Sequence, residues 1–206
     1  MRGIALLTRW LLAPAFATLV LASPAARADE IQITDAFLAA VDEGVALTAD
    51  FSFELNARLA EAVANGVPLY FVVEFELTRP RWYWFDEKAA AKRLQLRLSY
   101  HALSRQYRLS TGVLQQNYPT LEEALNVLRH LRNWPVIERA NALADASYEA
   151  AVRMRLDLTL LPKPFQLSAL TSRDMNLESA WRRFGFRPTP APVPVESREP
   201  KEAEQR

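Results

Sequence analysis

The first candidates for chemistry are two carboxylates, Glu74 and Glu76, which stand two residues apart in a segment of alternating apolar residues. On a strand both side chains lie on one face, about 6 to 7 Å apart. This separation is near that of the paired catalytic carboxylates of glycoside hydrolases. The structural alternative is cross-strand ion pairing with Arg97, Arg153 and Arg155, which occupy polar positions of other such segments. We favour ion pairing and assign no catalytic residue.

The other titratable candidates are Asp157, His101 and His130. Asp157 stands between two leucines, and we expect it to accept backbone N–H groups near the end of its strand. Neither histidine has a second histidine or a carboxylate at metal-ligand spacing. We therefore expect a solvated or capping role for both histidines, and no metal or other cofactor.

Several kinds of catalytic apparatus are missing from the sequence. Cysteine is absent, which excludes disulfides, cysteine-ligated zinc, a thiol nucleophile and a lipidated cysteine. The 5 glycines form no nucleophile elbow, phosphate loop or dinucleotide loop. A triad built from distant residues leaves no signature in a sequence. Our expectation is a protein that is not an enzyme.

The densest aromatic cluster is Trp82-Tyr83-Trp84-Phe85. On a strand it presents large rings to both faces, which is typical of a central strand buried on both sides, and we favour that interpretation. The functional alternative is that one pair of rings lines a groove or a partner surface, because aromatic residues are frequent interface anchors. Tyr100, Tyr107 and Trp134 could extend such a surface. The candidate binding residues are Trp82, Tyr83, Trp84, Tyr100, His101 and Tyr107.

The elements that must position these residues are mostly strands. Alternation with period two dominates the chain, as expected for antiparallel strands with one buried face. The most regular runs predict strands at 45–55, 69–77, 94–100 and 152–160. Shorter runs predict strands at 31–38, 82–85, 106–110, 113–118 and 134–140.

Helical segments interrupt the strands. The sequence Thr120-Leu121-Glu122-Glu123 is a capping box that begins an apolar stripe of helical spacing. The last turn of this helix is expected to hold three basic residues, Arg129, His130 and Arg132. A shorter helix is predicted over 57–65, ending at Gly66. A third short helix is expected over 177–184.

Many strands with short connections favour a mainly β fold. We predict an antiparallel β-sandwich with two or three short helical inserts, because two amphipathic sheets can bury their apolar faces against one another. The alternative is an α+β fold, an open antiparallel sheet covered by the helices.

The two ends of the chain differ from the middle. Residues 1–28 are predicted to be a signal peptide cleaved after Ala28, with a positive start, an apolar stretch of about 13 residues and small residues before the cut. A spanning helix needs roughly 20 residues, so we expect no transmembrane segment in the mature form. Residues 29–186 are expected to be a single β-rich domain. The Pro-rich and charged residues 187–206 predict a disordered tail.

The charge balance argues against nucleic acid as a partner. The whole chain has 25 basic and 24 acidic residues, but residues 1–28 contain Arg2, Arg9 and Arg27 and no acid. The mature chain would therefore have 22 basic and 24 acidic residues, a net charge of −2. Nucleic-acid binding needs a basic footprint, and we predict none here.

Seven short motifs within residues 31–186 resemble one protein family. They are Gly66-Val67-Pro68-Leu69, Arg81-Trp82-Tyr83-Trp84, Leu98-Ser99-Tyr100-His101, Arg105-Gln106-Tyr107, Leu156-Asp157, Leu161-Pro162-Lys163-Pro164 and Ser179-Ala180-Trp181. The family resembled is a group of exported Gram-negative bacterial proteins classed as domain of unknown function 4390, some described as proline-rich signal peptide proteins. The resemblance implies no activity and no catalytic residues. It implies a gene beside a membrane sensor histidine kinase, and hence an accessory role in the envelope.

Taken together, these features predict a periplasmic, non-enzymatic binding or protein-interaction module. Its partner is expected to be an envelope or inner-membrane protein, with a membrane sensor kinase as one candidate. Two alternatives stay open at this point: a hydrolase of an envelope polymer that uses surface carboxylates, and a carrier of a lipid or small ligand.

Overall fold

A computed structural model of the chain describes residues 30–42, 44–81, 83, 86–138, 143, 146–166 and 176–188. Within these ranges the chain forms nine strands, two α-helices and a short 3₁₀ helix, besides a helical turn at 163–166. In chain order they are β1 (Gln32–Val41), β2 (Gly44–Ser52), α1 (Ala57–Ala64), β3 (Leu69–Arg79), β4 (Glu87–His101), β5 (Gln106–Thr111), β6 (Leu114–Tyr118), α2 (Leu121–Arg129), β7 (His130–Glu138), β8 (Tyr148–Leu156), the 3₁₀ helix (Leu158–Leu160) and β9 (Arg182–Phe186).

The strands form two antiparallel sheets. One has three strands in the order β1-β2-β7, and the other has six in the order β6-β5-β4-β3-β8-β9. Apolar residues from both sheets belong to one hydrophobic core, in which the rings of Phe53 and Phe71 lie 5.6 Å apart. The predicted mainly β, sandwich-like fold is therefore confirmed.

Strand β3 lies at the centre of the larger sheet and shows how alternation builds the core. Its core-facing residues are exposed by 1% or less: Leu69, Phe71, Val73, Phe75 and Leu77. The intervening residues point to the other side of the sheet, because successive side chains of a strand alternate. This geometry gives the six-stranded sheet an outer face that is separate from the core.

The two helices pack against the part of the six-stranded sheet formed by β4, β5 and β6. Helix α1 contacts β4, and α2 contacts β5 and β6. Both begin at capping residues: Asn56 accepts the Leu59 N–H at 2.9 Å, and Thr120 accepts the Glu123 N–H at 3.2 Å. Helices that cover a sheet are what the open-sheet alternative predicts. In this fold they are present in addition to a second sheet.

Three sequence predictions are wrong in their details. Residues 177–184 are not helical, because Leu177 and Ser179 hydrogen-bond to β8 and the chain then forms β9. The strand predicted over 152–160 stops at Leu156, where Asp157 caps the 3₁₀ helix. Helix α2 ends at Arg129, so the two basic residues after it, His130 and Arg132, belong to β7 rather than to the last helical turn.

Two further corrections concern burial and connections. Strand β2 was expected to have one solvated face, but Ala46 and Thr48, which alternate with its core residues, are also buried. Both side chains are small, and β2 lies between β1 and β7, so its neighbours cover it. The strand predicted over 82–85 is not present at Tyr83, which lies in the turn between β3 and β4.

Some predictions fall outside the described residues: the signal peptide over 1–28, the tail from 189 onward, and the positions of Trp82, Trp84 and Phe85. Within the described ranges, no helix has the length and apolar character needed to cross a membrane.

Candidate functional site

The outer face of the six-stranded sheet carries an array of arginines, and we call it the arginine face. In the strand register, Glu74 of β3 is flanked by Arg93 of β4 and Arg153 of β8. Residues two apart along a strand share a face, and the register extends this face over the sheet. Its described arginines are Arg93, Arg97, Arg108, Arg153, Arg155 and Arg183.

A buried glutamate lies at the centre of the arginine face. The side chain of Glu74 is only 5% exposed, and its Oε2 accepts a hydrogen bond from Arg153 Nε at 2.5 Å. Its Oε1 lies 2.9 Å from Arg93 Nη2 and 3.7 Å from Arg155 Nη2, contacts of opposite charge without hydrogen-bond alignment. We call these four residues the Glu74 cluster, in which one carboxylate is shared by three guanidinium groups.

The cluster controls the protonation of Glu74. Burial alone raises the pKa of this carboxyl, because it disfavours the charged form. The hydrogen bond from Arg153 and the positive charges of Arg153, Arg155 and Arg93 outweigh burial, so the pKa of Glu74 lies below its ordinary value. Glu74 is therefore an anion at neutral pH.

Aromatic rings hold two of the arginines in place. The guanidinium of Arg153 lies 4.6 Å from the centre of the Trp181 ring, and that of Arg97 lies 5.9 Å from the centre of the Tyr70 ring. Both are within the range of cation–π attraction. The rings restrict where these arginines can move without neutralising their charge.

Positive charge is in excess on this face. Its described ionisable groups on the positive side are the six arginines and Lys88. Those on the negative side are Glu74, Glu76, Glu149, Asp157, Glu178, which bridges Arg155 at the sheet edge, and Glu30, which bridges Glu178. Seven cations against six anions leave a surplus of one positive charge, and the acids lie on β3 and at the β8 side of the sheet. The peripheral groups are paired one to one: Lys88 lies 2.8 Å from Glu76, and Arg183 lies 2.9 Å from Glu149. The surplus is therefore concentrated around Glu74 and toward β4 and β5.

The predicted aromatic surface is not continuous among its described members. Tyr100 and Tyr107 are directly paired across β4 and β5, with ring centres 5.0 Å apart, but both pack against the core. Tyr83 is 65% exposed and precedes the opposite end of β4. Thirteen residues of strand separate Glu87 from Tyr100, roughly 40 Å. Trp82 and Trp84 lie outside the described residues.

The two histidines have local hydrogen-bond partners. His101 Nδ1 lies 3.0 Å from the Ser104 hydroxyl, and His130 Nδ1 lies 2.6 Å from the Asn126 carbonyl oxygen. Since a carbonyl only accepts, His130 donates in the second contact. No three histidine or acidic side chains group as metal ligands anywhere in the described ranges.

The acids singled out in the sequence have structural contacts. The ion pairing predicted for Arg153 and Arg155 is present, whereas Arg97 contacts a tyrosine ring. Asp157 Oδ1 accepts the Thr159 N–H at 3.1 Å, as expected for a residue that ends a strand. Arg93 is not among the candidates from the sequence, although its spacing of four residues from Arg97 on an alternating strand indicates that the two share a face.

A cavity of about 530 Å³ lies between the two sheets where β4 faces β7. Its lining includes the apolar side chains of Val136, Ile137 and Tyr148. It also includes charged side chains, among them Lys92, which lies 2.8 Å from Glu138.

Fold and surface together define a two-sheet antiparallel β protein whose most distinctive exposed feature is a cationic sheet face. The family model described as Domain of unknown function (DUF4390) matches residues 28–185. The chain therefore belongs to this family, and the resemblance inferred from its motifs is confirmed. Searches of curated proteins and of solved structures each find no match.

Proposed function

We propose that this protein is a non-enzymatic interaction module that binds a partner protein through the arginine face. The observation that carries the proposal is charge segregation. The chain is nearly neutral overall, with 25 basic and 24 acidic residues, yet the part of the arginine face on β4 and β5 carries Lys88, Arg93, Arg97 and Arg108 and no acid. Such a field attracts and orients an acidic partner.

The state of the carboxylates favours binding over hydrolysis. A glycosidase acid needs a raised pKa so that it can donate a proton near neutral pH. The pKa of Glu74 is instead lowered, and its oxygens face three arginines. Glu76, the other member of the pair, contacts Lys88. Both acids thus serve to organise cations on the sheet.

The sequence-based expectations place this activity in the periplasm, after cleavage behind Ala28. The partner we propose is an envelope or inner-membrane protein, and the periplasmic part of a membrane sensor kinase is the first candidate. Binding through a sheet face leaves the core intact, so the partner can attach and detach without unfolding the module.

Site-specific photocrosslinking in intact cells tests the proposal. A photoreactive residue replaces Gln95, which is exposed on the arginine face between Arg93 and Arg97. The matched control carries it at Gln32, which is exposed on β1 of the other sheet. We expect a discrete crosslinked protein from position 95 only. Equal crosslinking to bulk proteins from both positions would contradict the proposal.

A carrier of a lipid or small ligand is the second candidate, because both apolar and charged side chains line the 530 Å³ cavity between the sheets. Mass spectrometry of the gently purified protein tests it. A consistent co-purifying ligand, lost when Ile137 is replaced by tryptophan to fill the cavity, would favour the carrier over the interaction module.

A further inference from the structure

We propose that the Glu74 cluster receives the side-chain carboxylates of an extended acidic segment of the partner, and that Arg93 moves from Glu74 to bind them. This inference rests on the proposed function and specifies the chemistry of the ligand. It makes Arg93 the residue on which recognition depends.

The first argument is the imbalance within the cluster. One carboxylate faces three guanidinium groups, and Asp157 Oδ1 lies 3.9 Å from Arg155 Nη1, so the three arginines exceed the carboxylates that contact them by one positive charge. The Arg93 contact at 2.9 Å lacks hydrogen-bond alignment, which leaves the fork of Arg93 donors available. A planar guanidinium binds a carboxylate with two parallel hydrogen bonds.

The second argument is the difference in exposure among the three arginines. The side chains of Arg153 and Arg155 are 32% and 26% exposed, whereas that of Arg93 is 74% exposed. Arg153 is also held by its hydrogen bond to Glu74 and by the Trp181 ring. Arg153 and Arg155 can therefore keep Glu74 satisfied while Arg93 turns outward.

The third argument is spacing. Arg93 and Arg97 lie on one face of β4, four residues apart, which is about 13 Å at the rise of a strand. Arg153 and Arg155 lie two residues apart on β8, about 6 to 7 Å. Acidic residues at alternate positions of an extended peptide repeat at the same distances. An extended segment with alternating acids therefore matches the array.

The position of exposed apolar residues favours a protein over a membrane surface. Proteins that lie on a bilayer usually combine basic residues with apolar side chains that enter it. The exposed large hydrophobic residues of the described chain all lie off the arginine face. They are found in turns, on β1, on the helices and on the core side of β6: Phe37, Val41, Tyr83, Leu103, Val113, Leu114, Val127 and Leu160. The face itself offers charge without an insertion surface.

Binding of synthetic peptides to the purified protein tests the inference. The probe is a peptide in which glutamate alternates with threonine, and the comparison peptide has the same composition with its glutamates in one block. We expect the alternating peptide to bind more tightly, and binding to weaken as ionic strength rises from about 0.05 to about 0.5 M. Inorganic phosphate and vesicles containing phosphatidylglycerol serve as the competing anions.

The matched variants are Arg93→Ala and Arg183→Ala. Both remove an exposed arginine from the same sheet face, but Arg183 is neutralised by its own carboxylate, Glu149. We expect Arg93→Ala to weaken peptide binding about tenfold, the loss of one charge-assisted interaction, and Arg183→Ala to leave it nearly unchanged. Arg93→Lys should recover only part of the affinity, because lysine lacks the fork.

Three results would overturn the inference: no preference for the alternating peptide, equal effects of Arg93→Ala and Arg183→Ala, or tighter binding to the vesicles or to phosphate. A partner crosslinked from position 95 that binds equally well to the Arg93→Ala variant would refute the inference while leaving the proposed function standing. The failure of both experiments would refute both.

Discussion

Replacing Glu74 by glutamine removes the one negative charge that three arginines share. Breaking a buried ion pair by removing one partner costs about 3 to 5 kcal/mol. Here the arginines are 26% to 74% exposed, so water solvates them in part, and the glutamine oxygen can still accept from Arg153. We therefore expect Glu74→Gln to lower the free energy of unfolding by about 2 kcal/mol. For a domain of this size that lowers Tm by about 4 to 8 °C.

The matched control is Glu76→Gln, two residues along the same strand. The side chain of Glu76 is 38% exposed and contacts only Lys88 among the ion pairs of the described residues. Exposed pairs of this kind contribute about 0 to 1 kcal/mol. Urea unfolding of the wild type and of both variants, followed by circular dichroism, gives the comparison. The reasoning is refuted if Glu74→Gln destabilises no more than Glu76→Gln.

The comparison of wild type with Glu74→Gln also predicts a pH dependence of stability. Since the pKa of Glu74 is lowered in the folded state, the unfolded chain takes up this proton first. The stabilisation is fully present above the unfolded value, about 4.3, and is lost as the pH falls through the lower folded value. The difference in stability between wild type and Glu74→Gln should therefore be constant near neutrality and shrink in acid. A difference that stays constant to the lowest pH would contradict the assignment.

Five other substitutions, two of them controls, test the fold. Phe71→Ala should cost about 3 to 5 kcal/mol in urea unfolding because Phe71 is fully buried, whereas Leu103→Ala, at a 93% exposed position, should cost less than about 0.5 kcal/mol. Thr120→Ala should cost about 1 kcal/mol through loss of the cap on α2, and a cost near zero would argue against the cap. Gly66→Ala should lower the free energy of unfolding by about 1 to 2 kcal/mol, because Gly66 has a φ of +86°. Gly185→Ala, at a position with equal free space and no positive φ, should be close to neutral, and thermal unfolding of both variants gives the comparison.

Much of the fold is predictable from the sequence because it is built from local rules. Alternation identifies β2, β3, β4 and β8, since each must bury at least one face. Capping and C-terminal signals identify α1 and α2. The prediction fails where tertiary contacts decide. The segment 177–184 has helical spacing, but the backbone of β8 offers it hydrogen-bond partners, and only the folded sheet presents that edge.

The candidate site was only partly predictable. The sequence indicated ion pairing by Arg97, Arg153 and Arg155; Arg153 and Arg155 do pair with Glu74, whereas Arg97 contacts the Tyr70 ring. It could not show that three arginines converge on a single carboxylate, because convergence depends on the order β4-β3-β8, in which β8 comes from a distant part of the chain. The emphasis on Trp82 to Phe85 followed local aromatic density, a signal that does not report on cross-strand neighbours.

Hydrogen bonds between the two ends of the domain bear on the order in which it folds. The Ile31 N–H donates to the Glu178 carbonyl at 3.2 Å, and the Ser179 N–H donates to the Met154 carbonyl at 2.8 Å. The opening residues of the domain are thus joined to its closing segment and, through that segment, to β8. When the chain emerges with its N-terminus first, the contact of Ile31 with Glu178 cannot form until nearly all of the domain has emerged. Final locking of the structure is therefore a late event, and truncation at either end should loosen the other.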